Sequence, residues 1–425
     1  MSAKRDGPTT VTLVIICQVF HMLTFGGIAL LLPLIREDLQ ISFSQAGILS
    51  VAATLTYAIG QLPAGYLSDR FGPRRLFFIG LMGWSLLSLS LALIHSFWAA
   101  VINQLVAGAL RALLFAPGLA LLASWFPPQR RATAMSLYMV GGFAGNILLA
   151  LAAPLLAQHM GWRFTFMLFS VLGMLAALAY WALAKENPRK ETAAHLGIRD
   201  ALHLFKHKVL WICSAIQFIR FSVVTGYIFW LPSMLIADRG LSLQAAGLVI
   251  AMSAAISAPF NTLGAYASDR LKNPPLVIGG SLAILACTSV LLVLVESIPA
   301  LLLVVAVNAV FMPFYFGPLF LVPVEVLGAR TAGTVTGFSN LFANIGGLLS
   351  AYALGVVKDT AGTFMWGFIG IGMLCVIGVA LSALLARMRK SALAAQQVGV
   401  IPPGGERCLQ TSARLVRASA GRSTV

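Results

Sequence analysis

Between residues 11 and 386 the chain returns repeatedly to apolar runs long enough to cross a bilayer, and this repetition constrains the fold more than any other feature. A helix needs roughly 20 apolar residues to span about 30 Å of hydrocarbon, whereas a barrel strand needs only about 10. Divided at charged or Pro/Gly breaks, the runs cover about residues 11–34, 44–66, 76–95, 98–124, 135–158 and 164–184. A second set covers about 209–235, 243–267, 275–295, 298–323, 331–356 and 363–386. Backbone amides in lipid are satisfied only within helices or closed barrels, and runs of this length exclude barrel strands. The expectation is an all-α membrane protein with twelve transmembrane helices in two six-helix bundles. Charged residues make up only 10% of the chain, against about a quarter in soluble domains. A soluble catalytic body is thereby excluded.

The longest internal polar stretch, "KENPRKETAAHLGIRDALHLFKHK" from Lys185 to Lys208, separates the two sets. It divides the chain into an N-terminal bundle (1–184), a linker (185–208), a C-terminal bundle (209–390) and a tail (391–425) without apolar periodicity, expected to be disordered. "MSAKRDGPTT" is a basic leader, and the apolar run behind it is too long for a signal-peptide core, so it reads as a retained first span. Lysine and arginine fix the orientation. With the N-terminus inside, 23 of the 29 fall on the cytoplasmic side and Arg36, Arg163, Arg239 and Lys358 on the other, leaving Arg111 and Arg220 within spans. Both termini and the linker are therefore expected to be cytoplasmic. The net charge of +16 follows from this placement and not from one basic soluble face, so the lipid bilayer, not nucleic acid, is the expected partner.

"AGYLSDRF", Ala64 to Phe71, recurs as "GAYASDRL", Gly264 to Leu271, at a spacing of 264 − 64 = 200 residues. Each copy is expected in the short loop after the second helix of its half. Parallel repeats of this kind build many secondary transporters, with the substrate site between the halves near the membrane midplane. The residue types suit a conformational latch. Small Gly65 and Gly72 permit close approach, Asp69 and Asp269 can meet a helix N-terminus or a base, and Arg70, Arg74, Arg75 and Arg270 keep the segment cytoplasmic.

"GYLSDRFGPRR" (Gly65 to Arg75) closely resembles the loop signature of the major facilitator superfamily, and "YASDRLK" its second-half counterpart. "WFPPQRR" after the fourth run and "GWRFTF" before the sixth extend the resemblance to about residues 11–386. The resemblance implies alternating access, and it implies that Asp69 and Asp269 join charge networks stabilising the outward-open state. It also matches Arg111 to a fourth-span arginine that serves structure or proton coupling in that family. The drug/proton antiporter signature of the fifth span wants a Gly-Pro pair, whereas Gly145 is followed by Asn146.

Arg111 and Arg220 lie near mid-membrane, where a guanidinium costs roughly 2.5 to 3.5 kcal/mol even on insertion scales. No Asp or Glu falls mid-span anywhere in the chain, which suggests that the substrate supplies the negative charge. A guanidinium fork binds carboxylate or phosphate through paired hydrogen bonds and stays protonated. His21, about ten residues into the first run, can change charge between pH 5 and 8 and is the candidate proton carrier. Gln217, Arg220 and Tyr227 share one helical face, as do Asn340 and Asn344, and Asn308, Met312 and Tyr315. Gln217, Tyr227, Tyr315, Asn340 and Asn344 join the two arginines as expected substrate contacts.

The five cysteines stand singly, without CxxC or a His-rich tract, and imply neither disulfide nor metal. No GxxxxGK[ST] loop or nucleophile with a base partner occurs, so no cofactor, metal, ATP use or catalytic residue is expected. The reading that follows is a secondary transporter taking up a small organic anion, a carboxylate, with protons or another cation. It would act as a monomer in a bacterial inner membrane as a multi-pass protein. Efflux of drugs or metabolites is the alternative.

Overall fold

The computed structural model describes residues 3–126, 131–186, 207–319, 322 and 332–397, and it is helical throughout apart from short turns. The first half comprises α1 (Ala3–Leu30), α2 (Leu32–Leu39), α3 (Phe43–Phe71), α4 (Pro73–Leu91), α5 (Phe97–Ser124) and α6 (Arg131–Leu183). The second comprises α7 (Lys208–Ala237), α8 (Leu243–Leu271), α9 (Pro274–Leu294), α10 (Ile298–Phe314), α11 (Ala332–Ala361) and α12 (Met365–Gln397). Eleven helices among the described residues are long and apolar enough to cross a membrane. The runs expected at 135–158 and 164–184 are two helical arms within α6 that meet at a corner at Gly161 (φ 79°, ψ 162°). Most of the linker and the tail beyond Gln397 lie outside the described residues.

Helix boundaries follow local chemistry. Ser42 and Ser242 cap α3 and α8, each accepting a hydrogen bond from the backbone N–H three residues on, and Ser42 completes a reciprocal capping box with Gln45. Prolines in the first turn start α4 and α9, where a missing N–H costs nothing. The repeated cassette corrects an expectation. Both copies form the last helical turns of α3 and α8 rather than a loop, because nothing in them breaks a helix until the left-handed residues Gly72 (φ 88°) and Lys272 (φ 50°).

The repeat runs well beyond the cassette. Asp38 and Asp238, Ser42 and Ser242, and Gly47 and Gly247 are also 200 residues apart (238 − 38, 242 − 42, 247 − 47) and have matching roles. Asp38 pairs with Arg163 at 2.5 Å, and Asp238 pairs with Lys358, each tying the first connection of its half to the last. Within each half the first helix packs against the fifth through glycine. A Cβ on Gly145 would lie 2.6 Å from the Val19 carbonyl oxygen, and one on Gly346 would strike that of Phe218. "GGFAGN" and "NIGGLLS" thus bring backbones together, as small residues in membrane helices do.

The halves meet at the end remote from the cassettes. Gly47 of α3 lies against Ala351 and Tyr352 of α11, Gly247 of α8 against Ala150 and Pro154 of α6, and Gly355 against Phe43. Gln244 donates to Gln158 across the same boundary. Asp359 of α11 accepts hydrogen bonds from the backbone N–H groups of Phe43 (2.9 Å) and Ser44 (2.7 Å), capping α3 from the opposite half. A cap is worth about 1 kcal/mol, or roughly fivefold in an equilibrium. Asp359→Ala is therefore expected to raise severalfold the maleimide reactivity of a cysteine placed at Ala150, which is buried where α6 meets Gly247, as this end opens more often. Unchanged reactivity would show that the cap does not bias the closure.

Candidate substrate-binding site

The two mid-span arginines occupy different halves and lack carboxylate partners. Arg111 of α5 lies over the rings of Phe25 (3.6 Å to the centroid) and Tyr57 (4.3 Å), and its Nε has no hydrogen-bond partner. Cation–π attraction of this kind contributes about 0.5 to 2 kcal/mol. It offsets only part of the desolvation of an unpaired guanidinium. Arg220 of α7 is 7% exposed; its Nε donates to Gln217 Oε1 at 2.6 Å, and its guanidinium stands 4.8 Å from the Phe316 ring centroid. Gln217 keeps an unpartnered Nε2, and the fully buried Tyr315, whose phenol is close enough to sense the Arg220 charge, keeps an unpartnered hydroxyl. These three residues form one group of donors.

His21 belongs to the Arg111 group. Its ring stacks on Phe25 at 5.9 Å and meets Trp84 edge-on at 5.5 Å, and both ring nitrogens lack partners. Trp84 is itself fixed by a 2.7 Å hydrogen bond from Nε1 to Thr24. The packing that positions His21 therefore leaves its polar atoms free, and the same is true of Gln18 Oε1 one turn earlier on α1. Sequence reading missed Gln18. Its signal was its spacing of three residues from His21, the same spacing that singled out Gln217 and Arg220.

Several other polar side chains of the second half have partners within it. Tyr227 donates to Ser289 of α9 at 3.1 Å and packs on Phe368, so its hydroxyl is engaged in the interior of the second half and not with Arg220. Asn344 donates to the Asn340 carbonyl of its own helix at 2.8 Å. Asn308 bonds Thr288 and the Val304 carbonyl, both interior contacts.

In the cassette, the side chains of Gly65 and Asp69 lie outside what the structure describes. Arg70, Gly72, Arg74 and Arg75 line a cleft with Phe71 and Glu186. Glu186 accepts from the Arg74 backbone N–H at 3.0 Å, while the Arg74 guanidinium donates to the Trp181 carbonyl and stacks on its ring. Glu186 was hidden in the basic linker, and it links the first cassette to the end of α6. Asp269 and Arg270 lie exposed at the end of α8. Among the described residues no group of three His, Cys, Asp or Glu side chains could hold a metal ion.

Comparisons with known proteins address the family and the fold. The model of the Major Facilitator Superfamily aligns with residues 14–351. The chain belongs to this superfamily. It is a multi-pass membrane transporter, not an enzyme. It is 24% identical over 407 residues to the hexuronate transporter of Bacillus subtilis, covering 91% of this chain and 95% of that one. It is also 24% identical to the "Probable galactarate/D-glucarate transporter" of Escherichia coli, covering 81% and 85% of the two chains. In fold it is similar to the crystal structure of a bacterial homolog to the human lysosomal transporter Spinster in an inward-facing and unoccupied conformation. The TM-score is 0.79 at 18% identity, covering 91% of this chain and 98% of that one.

Proposed function

We propose that this transporter takes up a small organic anion, a carboxylate, across the cell inner membrane by alternating access, with a proton or another cation moving in the same direction. The observation that carries the reading is the pair Arg111 and Arg220, one per half, half-buried and buried respectively against aromatic rings with no acid to neutralise either. An incoming carboxylate supplies the missing charge and lets the halves close over it. The names of the relatives, which concern hexuronate, galactarate and glucarate, support a sugar-acid type of cargo.

With α6 counted as two spans hinged at Gly161, the chain has twelve, and both termini lie on the cytoplasmic side. The contacts remote from the cassettes then close the outer face, and the structure corresponds to the state open inward. Gln217 and Tyr315 complete the Arg220 end, His21 carries the proton, and Asp69 and Asp269 act when the cassette corners come together in the outward-open state. One copy contains both halves of the pathway, so it works as a monomer.

Thermal stabilisation of the purified protein against small carboxylates, sugar acids, phosphates, neutral sugars and hydrophobic cations tests this reading, because a ligand that binds the folded state raises its melting temperature. Stabilisation by carboxylates is expected. Stabilisation by hydrophobic cations alone would make the arginines structural and overturn it.

A further inference from the structure

The two halves can be superposed residue by residue through the glycine contacts. Gly145 rests on the carbonyl of Val19 and Gly346 on that of Phe218, which sets α1 and α7 in register at an offset of 218 − 19 = 199. At that offset Gln18 matches Gln217 and His21 matches Arg220. The first helix of each half therefore carries a glutamine followed three residues later by a basic side chain. All four residues are at most 7% exposed, yet Gln18 Oε1, both nitrogens of His21 and Gln217 Nε2 have no protein partner. Unpaired buried polar atoms are costly unless a ligand completes them; a carboxylate can accept from the His21 N–H and from Gln217 Nε2, and from Gln18 only through its amide nitrogen once the amide is turned, since Oε1 is itself an acceptor. Helices α1 and α7 also pack against each other across the boundary between the halves.

We propose that Gln18 and His21 form a second anion-binding point, the counterpart of Gln217 and Arg220, and that the cargo is a diacid whose two carboxylates are held one in each half. The inference rests on the reading of Arg220 as an anion contact and adds the second end. Arg111, stacked on the same Phe25 ring as His21, stands with it at the N-terminal end and favours negative charge there. A neutral imidazole offers one N–H donor and an imidazolium two, and the second carboxylate supplies the negative charge that a proton on buried His21 needs beside Arg111, so proton and diacid bind together and the grip strengthens in acid. Arg111 from α5 is the charged group that bears on His21. Tyr57 of α3 lies beyond Arg111, Trp84 of α4 presents an uncharged ring, α6 presents Gly142 and Asn146, and α7 carries Gln217 and Arg220. No carboxylate occurs in the span interiors to compete with the cargo.

Galactarate and galactonate differ at one end, a carboxylate against a hydroxymethyl group, and serve as probes. Affinities of the purified full-length protein would be measured by calorimetry at pH 5.5 and pH 8, with adipate against hexanoate as a second pair. The wild type is expected to prefer the diacid about tenfold or more at pH 5.5, and less at pH 8. In His21→Gln the diacid-to-monoacid ratio falls towards one at both pH values, and in His21→Arg it stays high at both. Gln18→Leu, which keeps His21, lowers the ratio without removing its pH dependence. Equal binding of diacid and monoacid by the wild type, or a preference that survives unaltered in both His21→Gln and Gln18→Leu, overturns the second point while leaving the anion reading intact. Binding of neither acid in either pair overturns the anion reading and this inference with it.

Discussion

Arg220→Ala is expected to weaken carboxylate binding about a hundredfold and to abolish uptake in vesicles, while the protein still inserts and folds. A hydrogen bond to a charged group is worth about 1.5 to 3 kcal/mol, and a fork that offers two of them to one carboxylate reaches the upper end of that range or more. About 2.8 kcal/mol is two powers of ten in affinity. Folding should tolerate the change because the contact of Arg220 outside its own helix is the cation–π stack on Phe316, worth about 0.5 to 2 kcal/mol. Its hydrogen bond goes to Gln217 one turn away on the same helix, and removing an unpaired buried cation relieves a desolvation cost. Arg220→Lys should recover only part of the affinity, since an ammonium lacks the planar fork. Uptake at the wild-type rate in Arg220→Ala vesicles would remove Arg220 from the substrate path.

A larger effect is expected where the halves touch. Gly47 and Gly247 face backbone, not flexible side chains: a Cβ on Gly47 would lie 2.8 Å from the Ala351 carbonyl oxygen, and one on Gly247 would strike that of Ala150. Backbone cannot rotate aside, so a larger residue must push the helices apart. Overpacking costs about 1 to 3 kcal/mol at a site, and separate sites add. The double variant Gly47→Leu/Gly247→Leu should therefore depopulate the conformation closed at this end by roughly a thousandfold. Both glycines stay within folded helices, so the protein should be made in normal amount but hold an aqueous path open on that face. Transport should fall below a tenth of the wild-type rate, and substrate protection against labelling from the cassette side should disappear. Normal transport by the double variant would mean that the halves pivot elsewhere.

The sequence made the membrane class, the two halves and the Arg111 and Arg220 pair legible, because each rests on a local rule: run length, a repeated string, or a charge where charges are costly. What escaped it depends on surroundings. The cassette looks like a loop because it is charged, yet Ser, Asp and Arg are tolerated in the last turns of a helix, and only the backbone angles at Gly72 and Lys272 end it. Tyr227 shares a face with Arg220 by spacing, and it is the neighbouring Ser289 on α9 that draws its hydroxyl away. The nest around His21 joins side chains from α1, α4 and α5, with Trp84 63 and Arg111 90 residues from His21 (84 − 21, 111 − 21), and no periodicity within one helix discloses it. Asp359 and Glu186 read as ordinary acids near helix ends, and their partners lie 315 and 112 residues away.

The single interruption at Gly161 has a consequence for how the length of this protein can vary. Some other connections contain several residues outside helix, such as the stretch between Leu39 and Phe43, and can absorb an insertion, whereas Gly72 stands alone between α3 and α4. Between the arms of α6 there is no slack, since helix runs up to Gly161 and resumes after it. One residue added there would rotate everything beyond by about 100° around the helix axis, turning Phe166 and Phe169 out of the core. Natural length differences in such chains should therefore collect at the longer turns and leave this corner at a fixed count.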